Sequence, residues 1–236
     1  MKKLIVFDMD GVLIDVSSSY RDTVRKTASI FLSPCHGAGK LKQPLFDLAD
    51  LAVVKQSGGL NNDWDLTHRV LTLLLSKVPS AENDFDRGRW DISSLASFLE
   101  TETNPLEKLL GSSPSFRSDA ADYYYKGDVG TGNIIKQIFQ EVYLGPVLFK
   151  STYGFSSMHY KEDGFILREK LLVERNKLAE LAEKSILAIA TGRPAAEAVY
   201  PVGKHGIDVF SKIITLDDCL AAEAEVMKKS GRRVSF

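Results

Sequence analysis

Residues 4–11, Leu-Ile-Val-Phe-Asp-Met-Asp-Gly, constrain this chain more than any other stretch, because four apolar residues run directly into two carboxylates one residue apart. A short run rich in β-branched and aromatic residues, closed by glycine, predicts a buried central strand of a parallel sheet, apolar on both faces. Ligands of open α/β sheets bind beyond the carboxyl ends of the strands. Asp8 and Asp10 stand two positions apart, so extended backbone points both side chains the same way, and Gly11 frees the chain to turn after them. Two like charges held close require a cation or a proton. A plain strand followed by an acidic turn would read the same way, so the stretch needs a partner elsewhere in the chain.

Residues 186–194, Ile-Leu-Ala-Ile-Ala-Thr-Gly-Arg-Pro, supply it: a second apolar run broken by a hydroxyl, a glycine, a cation and a proline. The pattern predicts strand, tight turn and helix start. Pro194 suits the first helical position, and Thr191 and Gly192 offer a hydroxyl and exposed backbone amides to an anion. Together the two stretches describe a phosphate site facing a nucleophile. Asp8-Met9-Asp10-Gly11 and Thr191-Gly192 resemble the first and second motifs of the haloacid dehalogenase-like (HAD) phosphohydrolases. Residues 58–67, Gly-Gly-Leu-Asn-Asn-Asp-Trp-Asp-Leu-Thr, taken with Thr191-Gly192-Arg193-Pro194, are similar to a branch of the phosphoglycolate phosphatase-like, helical-capped subfamily.

The resemblance implies roles for these residues. Phosphate monoesters hydrolyse extremely slowly in water, so a catalyst needs an activated nucleophile, neutralised phosphoryl oxygens and a protonated leaving group. Asp8 is the implied nucleophile, forming an aspartyl phosphate, and Asp10 the implied general acid and base. Mg²⁺ would sit on the Asp8 carboxylate and the Asp10 backbone carbonyl, with Thr191 and the Gly192 amide holding phosphoryl oxygens. Arg193 reads equally as a substrate contact or as an exposed helix-start arginine in a solvated ion pair. Asn61 and Asn62, with Asp63, read as a substrate loop of the cap or as a turn plus helix N-cap. The family's third-motif lysine and fourth-motif acidic residues are not visible. Lys212, Lys228 or Lys229 are candidate substitutes for the lysine, and Asp217 or Asp218 for the acidic residues, yet each reads as easily as a surface charge at a helix end. The α/β core therefore reads as C-terminally short.

The segments between the motifs are mostly helical. Apolar spacing predicts helices over 20–32, 45–54, 64–77, 92–100, 105–110, 131–144 (stopped by Gly145-Pro146) and 169–184, a short hairpin around Asp163-Gly164, and a strand at 209–214. Asp63 is the predicted N-cap of the third helix. An insertion this long cannot be a loop, so the reading is a discontinuous Rossmann-like parallel-sheet core, 1–15 and 170–236, interrupted by a helical cap domain, 16–169.

Composition narrows the partners. A net charge of -1 in 236 residues gives no field that would draw a polyanion, which argues against nucleic acid. The apolar run after Lys3 ends at Asp8, too soon for a signal peptide, and no stretch approaches membrane-spanning length. Cys35 and Cys219 form no disulfide framework, and His36, His68, His159 and His205 have no metal-ligand spacing. These features predict a cytoplasmic protein acting on a small phosphorylated metabolite. Three functions fit: a magnesium-dependent phosphohydrolase, a phosphotransferase or mutase of the same fold, and a binding protein with an impaired site.

Overall fold

The computed structural model describes residues 2–60, 62–82, 84–112 and 115–231. The chain divides into two compact units, one formed by Met1–Ser18 with Arg168–Phe236 and the other by Ser19–Leu167. The protein is mixed α/β, a Rossmann-like parallel sheet with helices interrupted by a helical insertion.

In the first unit, β1 (Lys3–Phe7), β4 (Ser185–Ala190) and β5 (Lys212–Ile214) form a three-stranded sheet in the order β1-β4-β5, with both pairings parallel. The register sets Phe7 beside Ile189 and Ile189 beside Ile213, so the strands end together. Helix α8 (Arg175–Lys184) leads into β4, α9 (Ala195–His205) joins β4 to β5, and α10 (Leu216–Ser230) follows. One sheet face is closed: Ile189 packs with Met9, Leu13, Ile14, Leu178, Ala198, Val202 and Ile207, with Phe7 and Ile213 against them. The alternate positions Leu4, Val6 and Ile186 point the other way and are 64, 53 and 44% exposed. Residues 3–7 are thus an edge strand with one open face among the described residues, not the central strand apolar on both faces that the sequence predicts. The same apolar run suits a strand buried on one face or on two, and only the neighbours decide which.

A two-stranded antiparallel ribbon, β2 (Ile14–Asp15) on β3 (Lys170–Leu171), carries the chain out of this unit and back. It replaces the first turns of the predicted 169–184 helix. Leu171 pairs with Ile14 and joins the core, so tertiary pairing overrides a helical apolar period, and the helix starts only at Arg175.

The second unit is built on α1 (Tyr20–Leu32), α2 (Leu48–Gln56), α3 (Asp63–Leu75), α4 (Ser93–Thr101), α5 (Pro105–Ser112), α6 (Asp119–Tyr124) and α7 (Ile134–Tyr153). Val24, Ala28 and Phe31 lie on the buried stripe of α1, which packs on α3 and α7, and Tyr20 stacks on Tyr143 at 4.5 Å. The predicted stop at Gly145-Pro146 is met by a break in α7: Gly145 leaves helical geometry at φ 70° and ψ 169°, and Pro146, which lacks an N–H to donate, begins a second helical stretch across the kink. Residues 163–164 form no hairpin. Gly164 lies against the backbone of Leu144 and Gly145, and Phe165–Arg168 make a 3-10 turn.

Candidate functional site

Parallel pairing of β1 with β4 delivers Asp8 and Thr191 to the same end of the sheet, immediately beyond Phe7 and Ala190. Asp8 is exposed, and its Oδ1 accepts a 2.7 Å hydrogen bond from the Met9 amide. The chain then turns tightly. Gly11 takes φ 74° and donates its N–H to Ile14 O at 2.8 Å, while the amides of Leu13 and Ile14 both reach Met9 O at 2.9 Å. The turn leaves Asp10 half-exposed beside Met9, which is buried in the core.

On the neighbouring strand, Thr191 donates its backbone N–H to Ile214 O at 3.0 Å, and its Oγ1 accepts from the Arg193 amide at 3.2 Å. Gly192 is exposed, and its amide has no hydrogen-bond partner among the described residues. Pro194 is the N-cap of α9 rather than its first helical residue: its ψ of 153° is extended, and Ala195 starts the helix. Proline has no side-chain acceptor to cap with, and Asp217 fills that role, taking the Ala195 amide on Oδ2 at 2.6 Å. Asp218 closes a capping box with Thr215, whose amide and hydroxyl both reach its Oδ2 at 2.9 Å and hold its carboxyl below the usual range. Both acidic candidates are therefore helix-cap carboxylates. Lys212 is exposed at the first residue of β5, away from the strand end that carries Thr215, and Lys229 pairs with Glu225 on α10.

Arg193 is where the structure departs furthest from the sequence. Its side chain is 1% exposed, which rules out the solvated ion pair, and it bridges two carboxylates. Nε and Nη2 each lie 2.7 Å from Asp10 Oδ1, and Nη1 lies 3.0 Å from Glu169 Oε2 and 3.2 Å from the Glu197 carbonyl. The Glu169 side chain is 0% exposed, and its carbonyl accepts from Lys204 Nζ at 3.2 Å. Only a planar, multidentate guanidinium can serve three acceptors in this way. Sequence reasoning passed over Glu169 because it opens a stretch that reads as amphipathic helix, and a partner 24 positions from Arg193 leaves no local signal.

A site of this chemistry suits a hard cation. The Asp8 carboxylate and the Asp10 carbonyl, which accepts no hydrogen bond among the described residues, are two oxygen donors at one strand end. Among the described residues no group of three or more His, Cys, Asp or Glu side chains is placed to hold a metal ion. Mg²⁺ commonly takes one or two protein oxygens and completes its shell with water and substrate phosphate, so the donors present fit it. The Asp10 side chain, engaged by Arg193, contributes nothing to that set.

Asn61 lies outside the described residues. Asn62, in the helical unit, is the N-cap of α3, one residue earlier than the predicted Asp63: its Oδ1 accepts from the Asp65 amide at 2.8 Å and its Nδ2 donates to Asp65 Oδ2 at 2.7 Å. Asp63 instead pairs with Lys55 at 3.0 Å. These contacts are those of a turn and cap.

Comparison with solved structures places this architecture. Phosphatase Tt82 from Thermococcus thioreducens matches with a TM-score of 0.58 at 20% identity, over 96% of this chain and 78% of that one. The fold is shared with a phosphatase. A target of the Northeast Structural Genomics Consortium matches with a TM-score of 0.63, also at 20% identity, over 98% of this chain and 74% of the other. No family model matches the chain. Among curated proteins, an imidazoleglycerol-phosphate dehydratase from Phytophthora nicotianae is 37% identical over 78 residues, which amount to 33% of this chain and only 15% of that protein. Among the described residues no helix is long and apolar enough to cross a membrane.

Proposed function

We propose that the chain is a magnesium-dependent phosphohydrolase of the haloacid dehalogenase-like superfamily, in its helical-capped branch, releasing phosphate from a small phosphorylated metabolite. The observation that carries this reading is the placement of Asp8, Asp10, Thr191 and a Gly192 amide without a partner among the described residues at one end of a parallel sheet whose fold is shared with a phosphatase. Asp8, exposed and at the strand end, attacks phosphorus and forms an aspartyl phosphate as the leaving alkoxide departs. Asp10 gives that alkoxide its proton and then takes one from the water that hydrolyses the aspartyl phosphate. Thr191 and the Gly192 amide hold the phosphoryl oxygens. When bound, Mg²⁺ on the Asp8 carboxylate and the Asp10 carbonyl supplies positive charge against the anionic reacting group. Phosphate release from p-nitrophenyl phosphate, with and without Mg²⁺, tests the proposal. Metal-dependent turnover that falls by on the order of 10³-fold or more in Asp8→Asn, with an unchanged circular dichroism spectrum, supports it. An Asp8→Asn variant as active as the wild type overturns it, and phosphate transfer to a sugar in place of water points to a phosphotransferase.

A further inference from the structure

We infer that Glu169 and Arg193 form a positioning relay for Asp10, an inference that rests on the reading of Asp10 as the acid and base of the site. Asp10 stands at the start of a turn whose backbone bonds fix Met9, Gly11, Leu13 and Ile14. None of those bonds fixes the Asp10 side chain. That task falls to Arg193, whose Nε donates to Oδ1 at 2.7 Å while Nη2 lies 2.7 Å from the same oxygen as an ion-pair contact. A directed hydrogen bond with the charge of one rigid plane beside it restricts the carboxylate more than a rotatable ammonium contact would.

Arg193 would not hold this pose unaided, because an arginine side chain has several rotatable bonds and a buried one needs its donors matched. Glu169 supplies the match from the opposite edge of the guanidinium, and the Glu197 carbonyl takes a second bond from the same Nη1. Glu169 is itself held. It immediately precedes β3, whose register on β2 sets Lys170 against Asp15 and Leu171 against Ile14, and its carbonyl is bonded to Lys204. The ribbon that follows the Asp10 turn thus fixes Glu169, Glu169 orients Arg193, and Arg193 orients Asp10. Each member of the chain is reached from a different element, so the carboxylate position is set by the fold and not by its own loop. Arg193 is then not a substrate contact, since Nε and Nη1 are committed to protein acceptors and the side chain is 1% exposed.

The test compares Arg193→Lys, Glu169→Ala and Glu169→Gln with the wild type, with rates counted per folded molecule. A lysine cannot hold Asp10 and Glu169 at once from two edges of a rigid plane, and alanine removes the far anchor, so both variants should lose about 100-fold in kcat with KM changed less than about twofold. Glu169→Gln keeps an oxygen acceptor for Nη1 and should recover most of the rate. A KM rise with intact kcat in Arg193→Lys, or an unchanged kcat in Glu169→Ala, overturns the relay. An activity-free readout separates this inference from the reading on which it rests. The Arg193 Nε–Hε resonance should be shifted and slow to exchange in the wild type and collapse in both Asp10→Ala and Glu169→Ala. Where the wild type releases no phosphate, the phosphatase reading fails while the resonance still decides the relay: a signal insensitive to Glu169→Ala refutes it.

Discussion

Gly145 and Gly164 touch backbone to backbone, so closely that a methyl group on Gly145 would stand 2.5 Å from the Gly164 nitrogen. Gly145 also sits at φ 70° and ψ 169°, a region essentially closed to other residues. Gly145→Ala should therefore cost roughly 3 kcal/mol, combining backbone strain with overpacking. A urea unfolding midpoint within error of the wild type would show that the kink relaxes without penalty.

A buried carboxylate organises the segment after α7. Glu141 Oε2 accepts from the amides of His159 and Tyr160 at 2.5 and 3.0 Å, and Oε1 accepts from Gln137 Nε2 at 3.0 Å. Glu141→Ala strands two buried donors and a part-buried one and should destabilise the protein by about 3 kcal/mol or more, with Glu141→Gln milder because it retains an acceptor. Equal losses in the two variants, read by thermal unfolding, would point to charge and not hydrogen bonding as the cause.

Asn62→Ala should cost about 1 kcal/mol through loss of the α3 cap, and Asn62→Ser should restore most of it. If activity falls sharply while the melting temperature holds, Asn62 serves substrate and the cap is incidental.

The pH dependence of stability has a calculable sign at His68. Burial, opposed by Asp122 at 2.9 Å, holds its imidazole below the ordinary 6.5. Between the folded value and 6.5 the unfolded chain binds more protons, so the contribution of His68 is complete above 6.5 and lost as pH falls through the folded value. His159 and His205 are held low by burial as well, so the measurement is a difference. His68→Phe keeps the stacking on Tyr125, whose ring centroid lies 4.5 Å away, and should flatten the fall in melting temperature from pH about 7.5 to about 5.5. Parallel curves for the two proteins would exclude His68 as a contributor.

The open sheet face yields a solubility prediction. Leu4 and Val6 expose apolar surface on an edge strand with a row of backbone groups beside it, a combination that favours pairing with other chains. Leu4→Thr with Val6→Thr should reduce self-association while changing stability by about 0.5 kcal/mol or less. Sedimentation profiles that coincide with the wild type would show that this face does not mediate association.

What the sequence disclosed and what it hid follow from range. Strand ends and the turns after them are local signals, so the position of Asp8, Asp10, Thr191 and Gly192 just beyond two strands was legible, as were α1 and the α/β class with a helical insertion. The burial of Arg193 was not, because its partners lie 24 and 183 positions away and an arginine before a proline looks the same whether solvated or enclosed. The edge position of β1 was hidden for a related reason: strand composition reports how apolar a segment is, not how many neighbours it has. At 145–146 the local pattern pointed to a helix stop and the helix breaks there, whereas at 169–172 it pointed to a helix start that pairing with Ile14 reversed.

The β2–β3 ribbon has one more consequence. Ser18 Oγ donates to Arg168 O at 3.5 Å, so the chain leaves the sheet-bearing unit and returns to it at adjoining points. Residues 19–167 are in effect a cassette clipped to a two-rung ladder, and its ends stay together however much chain lies between them. Such a cassette can be lengthened, trimmed or exchanged for another folded element without shifting Ile14 off Leu171.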